Sequence, residues 1–350
     1  MPNEKLNVFG GTYKLSELRR YVADLATVAG VKPYTLSEGV EKGVFAVDVR
    51  TGSGLEYSVV PDKGMNICNL KYCGIPLDWS SGTGLTSPFA YEPQQWGWLR
   101  SFNGGVVHTC GLDNVGECCV DQGPMGQEER FGGHGRISNT PAREVSWSVD
   151  TDRAPYEIYV SGTCRSVSVQ GENLLLKRRV LSRIGAKSII VKDTVCNLGH
   201  LRTPIFLLYH CNFGFPLVCE EMKLSIPAER AIDPQGQDVP DFERIPPPSD
   251  STEEQVFYPL LDNDSVEVSL VNRGLGRDGL GVYLKYDKSE LPHLTIWKAF
   301  QKRHYILAVE PGTCRAVIGR AEETKQGRAL FLEADESLSV TLEFGIIEGV

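Results

Sequence analysis

The segments YEIYVSGTC (156–164) and SVEVSLV (265–271) alternate apolar residues with small or polar ones. Side chains of a strand point to opposite faces in turn, so this period of two is what a half-buried strand requires. The same pattern recurs in VFAVDVR (44–50), LLLKRRVLS (174–182), SIIVKDTVCNL (188–198), GVYLKYD (281–287) and SLSVTLEFGII (337–347). The breaks between these runs are rich in Gly, Pro, Asn and Asp, the usual turn residues. One stretch differs. KLSELRRYVADLATVA (14–29) spaces Leu15, Leu18, Val22, Leu25 and Val28 as on one face of a helix, which predicts an amphipathic helix over those residues.

Two stretches resist strand assignment. Residues 80–142, centred on WGWLRSFNGG (96–105), carry too many aromatics for disorder and read as ordered functional loops. Residues 227–255, with DFERIPPPSDSTEE, read as an exposed excursion between two strands. Strand patterning resumes with similar character after each, so neither is a domain linker. The expected architecture is all-β: one large antiparallel β-sandwich over residues 44–350 with long loops, preceded by an extension (1–43) whose short helix packs on it.

Composition narrows the function. A chain of 350 residues, 41% hydrophobic and 23% charged, is ordinary for a globular protein. The net charge of −9 and the lack of any long Lys/Arg run argue against a nucleic-acid partner. The N-terminus lacks a signal-peptide pattern, and the strongest apolar run, PIFLLYH (204–210), is too short to cross a bilayer. Ten irregularly spaced cysteines read as reduced thiols, which points to the cytoplasm and no membrane association. Cys118 and Cys119 near His108 and Cys110 include no CxxC pair, so no metal is expected. Neither a P-loop nor a dinucleotide fingerprint is present, and no cofactor is expected.

Three segments put ionisable groups where a strand meets a turn: GGHGRISNTP (132–141) with His134 and Arg136, LLYHCNFGFPL (207–217) with His210 and Asn212, and YILAVEPGT (305–313) with Glu310. Each alone has a bland explanation, as a satisfied core histidine, a solvated loop arginine or an exposed strand end. In this order they resemble the motifs of the aldose 1-epimerase, or galactose mutarotase-like, superfamily: His134-Gly135, then Tyr209-His210-Cys211-Asn212-Phe213-Gly214, then Glu310 in AVEPGT. FLEADESLSVTLEF (331–344) is similar to the strand pair that closes such proteins. The resemblance spans roughly residues 45 to 347 in outline.

That resemblance implies a galactose mutarotase-like supersandwich and a carbohydrate mutarotase or epimerase, with Glu310 as the base that takes the anomeric proton and His210 as the acid that protonates the ring oxygen. The two are expected to flank the sugar from different parts of the fold. Binding is expected from Arg100, Asn103, His134, Arg136 and Asn212, with His108, Lys298 and Glu254 as further candidates and Trp96, Trp98 or Trp297 stacking on the sugar. The family's sugar-binding aspartate, usually in an Asp-His-x-Phe stretch, has only a weak counterpart in Glu254-Gln255-Val256-Phe257. Two further departures stand out. Tyr209 replaces the asparagine usual before the histidine, and HGRISNTP is closer to the hexose-6-phosphate epimerases than to the His-Gly-Gly of galactose mutarotases. They leave open an epimerase of phosphorylated or acidic sugars, its anion held by Arg100 and Arg136, or a non-catalytic carbohydrate-binding or sensing protein. The expected partner is a small-molecule sugar, and a homodimer is compatible with the sequence.

Overall fold

The structure, a computed structural model, describes residues 4–123 and 126–350. The alternating segments form strands as their period demands. Eight of them make one antiparallel sheet in the spatial order 143–150, 157–167, 173–183, 188–197, 337–348, 280–287, 265–272 and 223–225. A second sheet runs 231–232, 255–259, 293–301, 304–312, 203–214 and 330–332, and strand His108–Leu112 also pairs with Thr203–Gly214. A five-stranded sheet (30–35, 45–50, 55–60, 66–72, 75–76) lies alongside. The large sheets pack face to face over one continuous core containing Val180, Val191, Leu284 and Leu342 from the first and Leu207, Cys211, Ile296 and Val309 from the second.

Strand Thr203–Gly214 explains the near-continuous apolar run read at 204–210. It is buried on both faces, so both sets of alternating positions are mostly apolar. Ile205, Leu207, Tyr209, Cys211 and Phe213 face the core between the sheets. Phe206 and Leu208 face outward, where they pack with Trp98, Phe102, Cys110, Cys314 and Ala316 beneath the loops. Among the described residues, no helix is long and apolar enough to cross a membrane.

Three sequence readings need correction. The helix expected over 14–29 is a single turn, Leu15–Leu18; Asp24 then caps a short 3-10 turn, Leu25–Thr27, by accepting from the Ala26 N–H. That local side-chain bond competes with helix continuation, and strand Gly30–Thr35 follows, paired with Phe45–Arg50. The loops at 80–142 contain three short strands, His108–Leu112, Cys119–Gln122 and Glu128–Phe131, while residues 124 and 125 lie outside the described residues. The expected closing pair is not a pair. Leu330–Leu332 joins Thr203–Ile205, whereas Ser337–Glu348 lies in the other sheet between 188–197 and 280–287.

A buried ion pair stands between the sheets. Arg178 and Asp193 are register partners on adjacent strands, with Arg178 Nε 2.9 Å from Asp193 Oδ1 and both side chains fully buried. The Tyr209 hydroxyl donates to Asp193 Oδ2 at 2.7 Å, and Arg178 Nη1 donates to Thr109 Oγ1 at 2.8 Å. Removing one partner strands the other charge in the core. Asp193→Ala should therefore cost about 3–5 kcal/mol in urea denaturation, and Arg178→Met with Asp193→Leu should recover most of that loss. A single-variant loss under about 1 kcal/mol would show that the pair does not constrain the fold.

Candidate functional site

On the outer face of the second sheet, register builds a row of polar side chains. His108 lies opposite His210, Cys211 opposite Val309, and Thr295 opposite Glu310. The row therefore runs His108, His210, Glu310, Thr295 across four strands. His210 Nε2 is 3.2 Å from Glu310 Oε1, and the two residues are only 4% and 1% exposed. The contact lacks hydrogen-bond alignment, because Glu310 Oε1 has no such partner among the described residues. His210 Nδ1, His108 Nε2, Asn212 Oδ1 and Asn103 Oδ1 are likewise buried without partners. Buried polar atoms are rarely left this way, and a group of them marks a place built to receive hydroxyls or water.

Aromatic side chains roof the row. Trp98, on the 3-10 turn Gly97–Arg100, has its ring 5.3, 4.5 and 6.2 Å from those of His108, His134 and His210. Phe102 stacks on Trp98 at 4.3 Å, and Trp297 lies 5.5 Å from His210. His134 closes one side on a left-handed backbone (φ 55°), followed by Gly135 at φ 71°. A Cβ on Gly135 would sit 2.5 Å from Gly111 O, so this turn requires glycine.

Residues 41–346 match the family described as Domain of unknown function (DUF4432). The chain belongs to that family. No curated protein matches it. Among solved structures, a Klebsiella pneumoniae protein provisionally named an aldose 1-epimerase is 24% identical, with a TM-score of 0.80 over 91% of this chain and 84% of that one. A galactose mutarotase-like protein from Clostridium acetobutylicum is 15% identical, at a TM-score of 0.64 over 92% and 99% of the two chains. A galactose 1-epimerase from Lactobacillus acidophilus is 14% identical, at 0.59 over 92% and 100%. These likenesses establish the galactose mutarotase-like fold that the three motifs implied.

Within this DUF4432 chain, His108, His134, His210, Glu310 and Asn212 come together. Asn103 lies buried beside the covering aromatics, with its Nδ2 bonded to Gly104 O. Glu254 sits at the rim and accepts from Trp297 Nε1 at 3.0 Å, so it touches the cluster through that indole. Trp96 lies 5.7 Å from the His134 ring. Arg100 is not part of the cluster: its side chain is 78% exposed and lies 3.8 Å from Glu92. Lys298 is turned to the opposite face, as its register partner Leu307 requires, and its ammonium donates to the carbonyls of Phe242 and Arg244. It ties the 227–255 excursion to the sheet.

Arg136 is committed to the protein itself. Its Nη1 donates to the buried Asp113 Oδ2 at 2.7 Å and its backbone N–H to Asp113 Oδ1 at 3.1 Å, so it holds the turn that presents His134. Sequence reasoning missed Asp113 and Lys63. Lys63 is fully buried and donates to Ser101 O at 3.0 Å and to Asn139 Oδ1, joining the Trp98 segment to the HGR segment. PDKGM reads only as a turn, and nothing local signals that its lysine points inward.

Burial sets the protonation of the site. It raises the Glu310 carboxyl to about 8 and lowers His210 to about 3. It also lowers His134 to about 4 and takes His108 well below its ordinary value. The favoured state at neutral pH is a protonated Glu310 beside a neutral His210, one proton within the pair.

This has a consequence for stability. Between about pH 4.5 and 8 the folded protein holds a proton on Glu310 that the unfolded chain releases, so the contribution of Glu310 is full below pH 4.5 and is lost as pH rises to about 8. His210 acts in the other direction, its contribution falling as pH drops through 6.5 toward 3. Glu310→Gln removes the first effect alone. Its stability relative to wild type should climb steadily from pH 5 to pH 8 in urea denaturation, and a pH-independent difference would contradict the buried, protonated carboxyl.

Proposed function

We propose that this protein interconverts the anomers of a sugar by acid–base ring opening and reclosure at Glu310 and His210. The observation that carries the reading is the 3.2 Å contact of these two groups in a buried row of unpartnered polar atoms. The anomeric hydroxyl and the ring oxygen are bonded to the same carbon, so the groups serving them must be neighbours. The two groups were expected to flank the sugar from different parts of the fold; they lie side by side on adjacent strands, which suits the chemistry better.

The assigned roles require one proton transfer within the pair before the ring opens. As sugar hydroxyls approach, the proton on Glu310 passes to His210, giving a carboxylate and an imidazolium with no change in net charge. Glu310 then takes the anomeric proton while His210 protonates the ring oxygen, and the ring C–O bond breaks as the aldehyde forms. The pair is thereby returned to the neutral state that burial favours. Rotation about C1–C2 presents the other face of the aldehyde, and the reverse transfers close the ring.

His134, His108, Asn103 and Asn212 would orient the sugar hydroxyls, and Trp98 or Trp297 would lie against its C–H face. Exchange NMR over a panel of aldoses should show accelerated anomer exchange for at least one sugar. Glu310→Gln and His210→Asn should each slow it by about 10²–10⁴-fold. Acceleration that survives Glu310→Gln would sink the assignment of the base. Saturable sugar binding without any acceleration would identify a carbohydrate-binding protein instead.

A further inference from the structure

A concavity of about 370 Å³ opens on the same sheet, lined among others by Tyr258, His293, Arg315, Lys288 and Asp262. Its volume lies within the usual range for small-molecule sites. Strand Gln255–Pro259 pairs with His293–Gln301, so Tyr258 falls one strand beyond Thr295 and two beyond Glu310. At about 4.8 Å per strand, the two backbones are roughly 10 Å apart. The chain after Gly312 crosses between them, where the Ala316 N–H donates to Thr295 Oγ1 at 3.3 Å. Ala316 packs under the aromatics of the first site, and Arg315 lines the second.

The lining chemistry is specific. Tyr258 is 3% exposed, and its hydroxyl is buried without a hydrogen-bond partner among the described residues. The Arg315 guanidinium lies 4.6 Å from the centre of the Tyr258 ring, and among the described residues no carboxylate pairs with it. His293 is half-buried, and burial lowers its pKa, so its ring stays neutral and offers one N–H. Lys288 donates to Leu261 O and adds a second positive charge. Asp262 is the one lining carboxylate, and it is exposed. The Arg328–Glu323 ion pair, whose charges also act on Tyr258, is internally balanced. Two cations, a neutral imidazole and a buried hydroxyl with no acceptor thus face one recess.

We infer that this recess is an anion-binding site of its own, taking the carboxylate or phosphate of a small acidic metabolite on Arg315, Tyr258 and His293. Arg315 supplies a planar fork matched to either group, and the Tyr258 hydroxyl gains the acceptor it lacks. The site does not depend on anomer exchange at Glu310.

The test is an NMR titration of the full-length protein at fixed ionic strength, following the ring C–H signals of the six histidines. Sodium phosphate and sodium glucuronate are the probes, with glucose and sodium chloride as controls. Saturable movement of the His293 signal with either anion is expected, and which anion produces it tells phosphate from carboxylate recognition. Arg315→Gln should weaken the apparent affinity at least tenfold and Tyr258→Phe several-fold, with unmoved His108 and His134 signals reporting an intact fold. Absence of saturation with both anions, an equal response to chloride, or unchanged affinity in both folded variants would overturn the assignment.

Discussion

Arg178 and Asp193 sit between the two large sheets, where both charges are removed from water. The pair does more than neutralise itself: besides reaching the Gly64 and Met65 carbonyls, Arg178 donates to Thr109, and Asp193 accepts from Tyr209. Thr109 and Tyr209 face each other in register on the strands of the other sheet that carry His108 and His210. Side chains alternate along a strand, so fixing Thr109 and Tyr209 inward fixes their neighbours His108 and His210 outward. A slip of one residue would bury the histidines between the sheets and expose two hydrogen-bonding groups to nothing. Packing alone would penalise that slip weakly, since strand Thr203–Gly214 is apolar on both faces. The buried charges set the register where hydrophobic alternation leaves it underdetermined.

The same network accounts for Tyr209, which replaced the asparagine expected before the histidine. A phenol spans the gap between sheets and reaches Asp193, a reach that a two-carbon amide side chain lacks. The departure from the family pattern concerns the support of the site rather than its surface.

The sandwich was legible because each long strand is half-buried and writes its period directly into the chain. The meeting of His210 with Glu310 was legible in part, since the motifs put both on apolar strands, but His210 lies within strand Thr203–Gly214 rather than at its end, and their contact depends on the pairing of strands 203–214 and 304–312. The N-terminal helix was misread because apolar spacing describes a face, whereas the Asp24 side chain caps a new turn locally. Pairing also decides which way Lys298 faces: one position along the strand, Trp297 reaches His210, while Lys298 points to the opposite side. Arg136 shows a different limit. Its partner Asp113 is 23 residues away and carries no distinguishing pattern, so the sequence could show an available guanidinium but not its commitment.

These commitments bear on what the Glu310 site can recognise. Lys63 is spent on two oxygens that join its walls, Arg136 on Asp113, Lys298 on carbonyls of the opposite face, and Arg100 lies in solvent. None of these cations is left to meet a ligand charge beside the pair. The unpartnered atoms there belong to imidazoles, amides and one carboxyl that burial keeps protonated. A bare carboxylate or phosphate brought among them would pay desolvation without a countercharge, whereas a ring of hydroxyls can both donate and accept. A guanidinium with no carboxylate partner among the described residues lies across the Ala316 crossing instead, at Arg315 on the Tyr258 ring. On the two proposals, charge and hydroxyl recognition would be separated on one sheet face, and the separation would follow from which basic side chains the fold has already used.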